Sequence, residues 1–249
     1  MTVTPGGWET WSWDESLFAG AAAYYEQGRL PYAPGLADAL ARSLPLDGRG
    51  RLLDVGCGPG TVTLLFAPLF EAAVGLDPDP GMLDRASRVA AERGVGNATW
   101  VRQQAAVQVD VPAYRIDELS AEVQQGSLPF PPPPDEAVDQ LRLRYLGSDR
   151  RAGRGICNTS PAGEDAVFHQ AGFMAAEIVA VPDRRAVELT IDDLVARAFS
   201  TSSTAPHLFG DRRDDYESDL RDILAEASAS GRFSVRLPDN SLRIWRLAP

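Results

Sequence analysis

The 249-residue sequence contains no lysine, and all 24 of its Lys/Arg positions are arginine. Schiff-base chemistry on a lysine is therefore excluded, as is a nucleotide-binding loop that holds phosphate with a lysine. Positive charge is also in deficit, because 35 acidic residues give a formal net charge of −11. Such a surface repels the phosphate backbone of nucleic acid and anionic lipid, so we expect neither as a partner.

Cysteine is scarce as well, and Cys57 and Cys157 are the only two. They cannot form a disulfide framework, and Cys157 has no His or Cys neighbour at ligand spacing, so no metal site is expected. No apolar run approaches the roughly 18 residues that a membrane span needs. The first fifteen residues lack the basic and apolar regions of a secretory signal. We therefore expect a cytoplasmic protein with no membrane partner.

Short apolar strands alternate with helices in the first half of the chain. The pattern predicts strands and helices in the order 51–55, 61–70, 72–76, 80–93 and 99–102. Two short helices, over residues 17–27 and 34–43, precede them. Alternating strands and helices form βαβ units, so the predicted fold class is α/β, with a Rossmann-like, doubly wound and mainly parallel sheet.

The segment "LLDVGCGPG" follows the start of the first strand, and its glycines stand at positions 56, 58 and 60. They permit a tight turn and let a ligand approach the backbone. The dinucleotide fingerprint has glycine where Thr61 stands, and a P-loop ends in Gly-Lys-Ser/Thr, so neither fits. Asp77 ends the second strand about 20 residues after Gly56, where an acid accepts both hydroxyls of a ribose. A ligand with a ribose and without a pyrophosphate is therefore predicted.

"LLDVGCGPGT" and "AVGLDPDPGML" together resemble motifs I and II of the class I S-adenosylmethionine-dependent methyltransferases. The resemblance covers residues 51–102 and implies the cofactor S-adenosyl-L-methionine and methyl transfer to a small molecule. It implies that Asp54 approaches the methionine amino group and that the backbone of Gly56 and Gly58 passes beneath the cofactor. It also implies that Asp77 holds the ribose and that Pro78 and Met82 lie near the adenine. The full set of implied cofactor-binding residues is Asp54, Gly56, Cys57, Gly58, Gly60, Asp77, Pro78 and Met82.

The segment "AAYYEQGRLPYAP" resembles the lead-in of one bacterial branch of the family, in which it packs over the cofactor. The second half of the chain, with "SSTAPHLFGDRR", resembles the C-terminal half of an actinobacterial branch that methylates small molecules. The first resemblance implies that Tyr25 faces the sulfonium, because an aromatic ring attracts a cation. It also implies that Arg29 pairs with the methionine carboxylate. The alternative is that these aromatic residues simply cover the core, and the sequence leaves both interpretations open.

Residues 103–126 depart from the family pattern. Ala106 and Val107 stand where the family has acids, one of which binds the adenine amino group, and Asp110 is the nearest substitute. One strand over 105–111 and one helix over 115–126 are too little for two parallel strands and their crossovers. We therefore expect a reduced sheet centre, weak cofactor binding and slow or absent transfer. The alternatives are a methyltransferase-like binding protein and a non-methylating enzyme on the same fold.

A proline run in "SLPFPPPPDEAV" is typical of a spacer. It predicts a cofactor-binding domain over residues 1–128, and a linker with a helical and hairpin region over 129–249 that completes the fold or caps the site. Beyond the spacer, helices are predicted over 135–146, 163–171, 191–199 and 214–228, with a hairpin over 177–190 and a last strand over 241–246.

The chain has two histidines, which are the natural candidates for a base at neutral pH. His169 lies within a predicted helix and is interpreted as structural. His207 lies in a polar loop, where a lid could bring it to the acceptor to take a proton. The other interpretation of His207 is a loop histidine that bonds to the backbone.

Overall fold

The computed structural model describes residues 16, 18–103, 113–118, 127–149, 151–152, 155–156 and 163–248. The first half contains two helices and then an alternation of strands and helices. In chain order these are α1 (Ala22–Gly28), α2 (Leu36–Ser43), β1 (Arg51–Val55), α3 (Thr61–Phe66), β2 (Ala72–Asp77), α4 (Pro80–Glu92) and β3 (Ala98–Arg102). The three strands form a parallel sheet in the order β1-β2-β3. The predicted α/β class is confirmed.

The second half is richer in antiparallel pairing. Its elements are β4 (Ala113–Glu118), α5 (Asp135–Leu146), β5 (Arg151–Ala152), β6 (Gly155–Ile156), α6 (Gly163–Gln170), β7 (Glu177–Val181), β8 (Ala186–Thr190), α7 (Ile191–Phe199), α8 (Arg213–Ala227), β9 (Arg232–Arg236) and β10 (Asn240–Trp245). Strands β4, β10 and β7 form an antiparallel sheet in that order, and β8 pairs with β9.

The predicted helix over 115–126 is wrong at its start, because β4 occupies Ala113–Glu118. This strand pairs with β10 along its whole length, from Ala113 opposite Trp245 to Glu118 opposite Asn240. Its central residues 114–117 alternate between apolar and charged, the period of two that suits a strand. The predicted strand over 105–111 lies outside the described residues. In the part of the chain that is described, β1 pairs with β2 alone.

The predicted hairpin over 177–190 is also wrong, although both of its strands are present. Strand β7 pairs with β10 and β8 with β9, so the whole segment runs antiparallel beside residues 232–245. At the break, four residues (182–185) face three (237–239) and the register shifts by one.

A buried acid lies at the break. The carboxylate of Asp183 accepts bonds from the backbone N–H and the guanidinium of Arg185, which are local to residues 182–185. Two backbone N–H groups join the break to the neighbouring segment: that of Asp183 donates to Asp239 Oδ1 at 2.7 Å, and that of Leu237 donates to Arg185 O at 3.0 Å.

One apolar cluster joins the two sheets. It contains Leu52 of β1, Ala73 of β2 and Leu242 of β10, together with Leu36 and Leu40 of α2. A second cluster packs α5, α7 and α8 around aromatic side chains that include Phe199 and Tyr216. The first cluster draws on both sides of residue 128, and the domain boundary there remains a prediction. Among the described helices, none is long and apolar enough to cross a membrane.

The indole of Trp100, on β3, lies in a slot formed by two glycines. A Cβ placed on Gly75 would lie 2.6 Å from Trp100 Cε3 and 2.8 Å from Cys57 Sγ. A Cβ placed on Gly60 would lie 2.5 Å from Trp100 Cη2. These separations are far shorter than ordinary carbon contacts, which lie near 3.5–4.0 Å, so the slot leaves no room for a side chain.

We predict that Gly75→Ala destabilises the protein by about 1–3 kcal/mol, because the new methyl group overpacks the slot. Gly96→Ala is the matched control, since a Cβ there meets no atom within 4 Å. Urea denaturation measures both. In a Trp100→Leu background the cost of Gly75→Ala should fall, because the indole that it meets is gone. Equal stability of the two alanine variants would contradict this packing.

Candidate functional site

The glycine segment forms a left-handed turn between β1 and α3. The φ angles of Gly56, Gly58 and Gly60 are 73°, 53° and 79°, a region that glycine enters without steric cost. The backbone N–H groups of Gly56 and Cys57 donate to the carbonyl of Leu76, at 2.8 and 2.9 Å. The turn is therefore attached to the end of β2, at the edge of the sheet where ligands of doubly wound folds bind.

The carboxylate of Asp77 joins this turn to the start of α4. One oxygen, Oδ2, accepts from Gly58 N–H at 2.8 Å, and the other, Oδ1, accepts from Asp79 N–H at 2.9 Å. Asp79 in turn caps α4 by accepting from the backbone N–H groups of Gly81 and Met82. Because Asp77 is buried, these bonds hold the turn and the helix start in one fixed arrangement.

A second acid, Asp54, lies beneath the same turn. Its Oδ2 accepts from the hydroxyl of Thr63 at 2.6 Å. Burial raises the pKa of Asp54 and that of Asp77, and the charge of Asp77 adds to the increase at Asp54. Within the described residues neither acid has an arginine partner. A buried carboxylate and a half-buried one without a cation favour a ligand that brings positive charge or hydroxyl donors.

The thiol of Cys57 is also buried in the turn, and its Sγ lies 3.5 Å from Gly58 O. Burial raises the pKa of this thiol, and the negative charges of Asp54 and Asp77 raise it further. A thiol held in its neutral form is a poor nucleophile, so this thiol is unsuited to covalent catalysis.

The N-terminal helix covers the turn from outside the sheet. A Cβ on Gly58 would lie 3.9 Å from both Cζ and the hydroxyl oxygen of Tyr25. The guanidinium of Arg29 lies 5.0 Å from the Tyr25 ring centroid and donates to Ser200 O at 3.0 Å. The chain therefore brings Tyr25 to the glycine turn. The pairing of Arg29 with a carboxylate stays a prediction, since its observed partners are an aromatic ring and a backbone carbonyl.

The other predicted residues occupy two places. Met82 is buried in the first turn of α4, and the carbonyl of Pro78 accepts from Arg102 Nε at 3.2 Å. His207 is exposed, and its Nδ1 lies 3.3 Å from the carbonyl of Ala19, the contact expected of a loop histidine bonded to the backbone. A catalytic role for His207 stays a prediction.

Some site residues were absent from the prediction, and others lie beyond the described ranges. The contacts of Thr63 with Asp54 and of Ser200 with Arg29 were missed. A threonine in the first turn of α3 is a local signal that could have been found, whereas a carbonyl far along the chain leaves none. The predicted positions Ala106, Val107, Asp110 and Cys157 lie outside the described residues.

The sequence and the fold were compared with those of known proteins. Residues 52–139, which contain the glycine turn and Asp77, match a family described as "Methyltransferase domain". This stretch of the chain is therefore similar to a methyltransferase domain. The solved structure of a candidate type II methyltransferase from Anaeromyxobacter dehalogenans has a similar fold, with a TM-score of 0.50 at 16% identity, over 88% of this chain and 97% of that one.

Curated relatives match over shorter stretches. The chain is 31% identical over 150 residues to a 23S rRNA (uracil(1939)-C(5))-methyltransferase of Xylella fastidiosa, which is 57% of this chain and 32% of that protein. It is 56% identical over 54 residues to a trans-aconitate 2-methyltransferase of Methylobacterium nodulans, which is 21% of this chain and 20% of that protein. The chain therefore covers less than a third of the length of either relative.

The raised pKa of Asp54 predicts a pH-dependent cost to folding. A group whose pKa is higher in the folded state binds its proton more tightly there, so stability falls as pH rises through the window between the unfolded and folded values. Asp54→Asn removes this cost and keeps an oxygen that can accept from Thr63. We expect the variant to be about 1 kcal/mol more stable than the wild type at pH 7, with a smaller gain at pH 3.5.

Thermal unfolding at the two pH values measures this effect, with Asp84→Asn on the exposed side of α4 as the control. A variant that is less stable than the wild type at pH 7 would show that the charge of Asp54 supports the fold.

Proposed function

We propose that the chain binds S-adenosyl-L-methionine at the glycine turn and transfers the methyl group to a small-molecule acceptor. The observation that carries the proposal is the closure of the turn by Asp77, whose carboxylate accepts from Gly58 N–H at the carboxyl ends of β1 and β2. The match of residues 52–139 to the methyltransferase domain supports it.

The groups around the turn fit the parts of this cofactor. Each oxygen of Asp77 accepts one backbone bond and keeps a lone pair for a ribose hydroxyl. Asp54 offers a half-buried carboxylate to an ammonium group. The ring of Tyr25, beside Gly58, suits a sulfonium because its face carries negative electrostatic potential. When bound, the cofactor supplies an electrophilic methyl group, and the protein's part is to orient it and exclude water.

The proposed acceptor is a small molecule and not a nucleic acid. One relative is named as a 23S rRNA methyltransferase and another as a trans-aconitate methyltransferase, so the relatives differ in acceptor. A formal net charge of −11 opposes binding to an RNA backbone, whose affinity depends on neutralising phosphates with basic side chains. The charge therefore supports the small-molecule alternative.

A second candidate function is cofactor binding without transfer. Within the described strands β1 has a partner on one edge only, and Val55 at its end is 46% exposed. A site open to water at this edge loses part of the orientation on which methyl transfer depends. Release of S-adenosyl-L-homocysteine with candidate acceptors distinguishes the two functions, because only transfer produces it.

Isothermal titration calorimetry tests the shared claim. The wild type should bind S-adenosyl-L-methionine, and Gly58→Val should abolish binding, because a branched side chain at a positive φ strains the turn and meets Tyr25. Gly94→Val, also at a positive φ but with open space around it, controls for backbone strain. No binding heat from the wild type at millimolar cofactor would refute the proposal.

We further predict that Asp77→Ala weakens cofactor binding at least tenfold, because the variant loses two ribose contacts worth about 1.5–3 kcal/mol each and frees the turn. Asp79→Ala removes the cap of α4 and should cost about 1 kcal/mol of stability, with a much smaller loss of affinity. Titration and thermal unfolding of both variants measure this difference. Equal losses of affinity would contradict the ribose role of Asp77.

A further inference from the structure

Helix α1 contacts two different parts of the protein through two faces. Each face carries three residues at the spacing i, i+3, i+4, which places them together on a helix. The face toward the glycine turn and α4 has Ala22, Tyr25 and Glu26. The face toward α7 has Tyr24, Gln27 and Gly28.

The contact of α1 with α7 is close. A Cβ placed on Gly28 would overlap the backbone carbonyl of Ala196, so the two helices touch with no side chain between them. Beside this contact, Gln27 Nε2 donates to Asp193 Oδ1 at 3.0 Å. Helices α1 and α7 therefore form one packed pair.

The contact of α1 with α4 is lighter and has an ion pair at its centre. A Cβ placed on Gly81 would lie 3.6 Å from Ala22 Cβ, an ordinary packing distance. The carboxylate of Glu26 pairs with the guanidinium of Arg85, and in the described part of the chain this ion pair joins α1 to α4. Arg85 Nη1 also lies 4.0 Å from Oε1 of Glu92, on its own helix.

Tyr25 lies on the same face of α1 as Glu26. A Cβ placed on Gly58 would lie 3.9 Å from Cζ of the Tyr25 ring, so the ring is close to the turn without filling it. Because the other face of α1 is packed on α7, the contact with α4 determines how near the ring comes to the turn. A ring face attracts a cation within about 6 Å, so a small shift of α1 changes that attraction.

We infer that Glu26 and Arg85 are positioning residues for the cofactor. Their ion pair seats α1 over the glycine turn and thereby holds the Tyr25 ring against the sulfonium of S-adenosyl-L-methionine. This inference rests on the proposed function and adds to it a means by which the site distinguishes the charged cofactor from S-adenosyl-L-homocysteine, whose sulfur is neutral.

Calorimetric titration of Glu26→Gln with both ligands tests the inference. The variant keeps the side-chain length and loses the charge, so it should bind S-adenosyl-L-methionine about two- to fivefold more weakly, the range of an exposed ion pair. Its affinity for S-adenosyl-L-homocysteine should fall less, because a neutral sulfur gains little from the ring face. The ratio of the two affinities should therefore fall.

Glu92→Gln is the matched control. It removes the other carboxylate near Arg85 and leaves the contact between α1 and α4 in place, so it should bind both ligands as the wild type does. The double variant Glu26→Arg with Arg85→Glu restores the pair with its charges exchanged and should recover the wild-type ratio. Glu26→Arg alone should bind S-adenosyl-L-methionine more weakly than Glu26→Gln, because two cations then face each other.

Hydrogen–deuterium exchange without any ligand tests the seating of α1 independently of the cofactor. The amides of α1 should exchange about two- to fivefold faster in Glu26→Gln than in the wild type or in Glu92→Gln, since local opening costs less when the pair is lost. A concentration of about 1 M NaCl should remove this difference by screening the pair.

Equal losses of affinity for the two ligands, equal effects of Glu26→Gln and Glu92→Gln, or no recovery in the exchanged double variant would each overturn the inference while the wild type still binds cofactor. A wild type that binds neither ligand refutes the proposed function, and with it the role of the pair toward a sulfonium.

Discussion

The site depends on the way in which one buried carboxylate is shared. Asp77 ends β2, and its two oxygens accept from two separate parts of the chain, the turn after β1 and the start of α4. Hydrogen bonds to a charged group are each worth about 1.5–3 kcal/mol, so the pair outweighs the backbone freedom that the glycines bring. Without this carboxylate, the hydrogen bonds that join the turn to β2 in the described part of the chain are those to the carbonyl of Leu76.

The same arrangement is costly to the fold. Burial raises the pKa of both Asp54 and Asp77, which means that the folded protein holds these charges less easily than water does. Proteins accept such a cost where a ligand repays it, and buried acids of raised pKa cluster at functional sites. Elsewhere in the described chain, the pKa of the buried Asp183 shifts in the opposite direction, because hydrogen bonds from Arg185 lower it. The contrast is between an acid that is paired with an arginine and two acids that have no arginine partner in the described part of the chain.

Hydrophobic periodicity within short stretches of sequence predicted the bounds of several strands and helices. The strand Arg51–Val55 and the helices Asp135–Leu146 and Ile191–Phe199 have the predicted bounds, since each carries its own periodicity and end signals. Strand pairing was predicted less well, because β7 and β8 are adjacent in sequence but pair with strands from the end of the chain. No local signal in residues 177–190 reveals which distant segment will lie beside them.

In the candidate site, too, residues with a regular spacing were predicted and contacts between distant segments were missed. The glycines and Asp77 were found because their spacing follows from the geometry of a strand, a turn and a second strand. The slot for Trp100 was not found, since it needs Gly60 and Gly75 from two different elements to face one side chain. The contact of Arg29 with Ser200 was missed for a similar reason, because it joins residues 171 positions apart.

A crystal structure of the chain with S-adenosyl-L-homocysteine tests the central claim most directly. We expect the ligand to lie over the glycine turn, with its ribose hydroxyls within hydrogen-bonding distance of the Asp77 carboxylate and its sulfur on the side of Tyr25. Ligand bound away from this turn, or bound there with its ribose far from Asp77, would contradict the account.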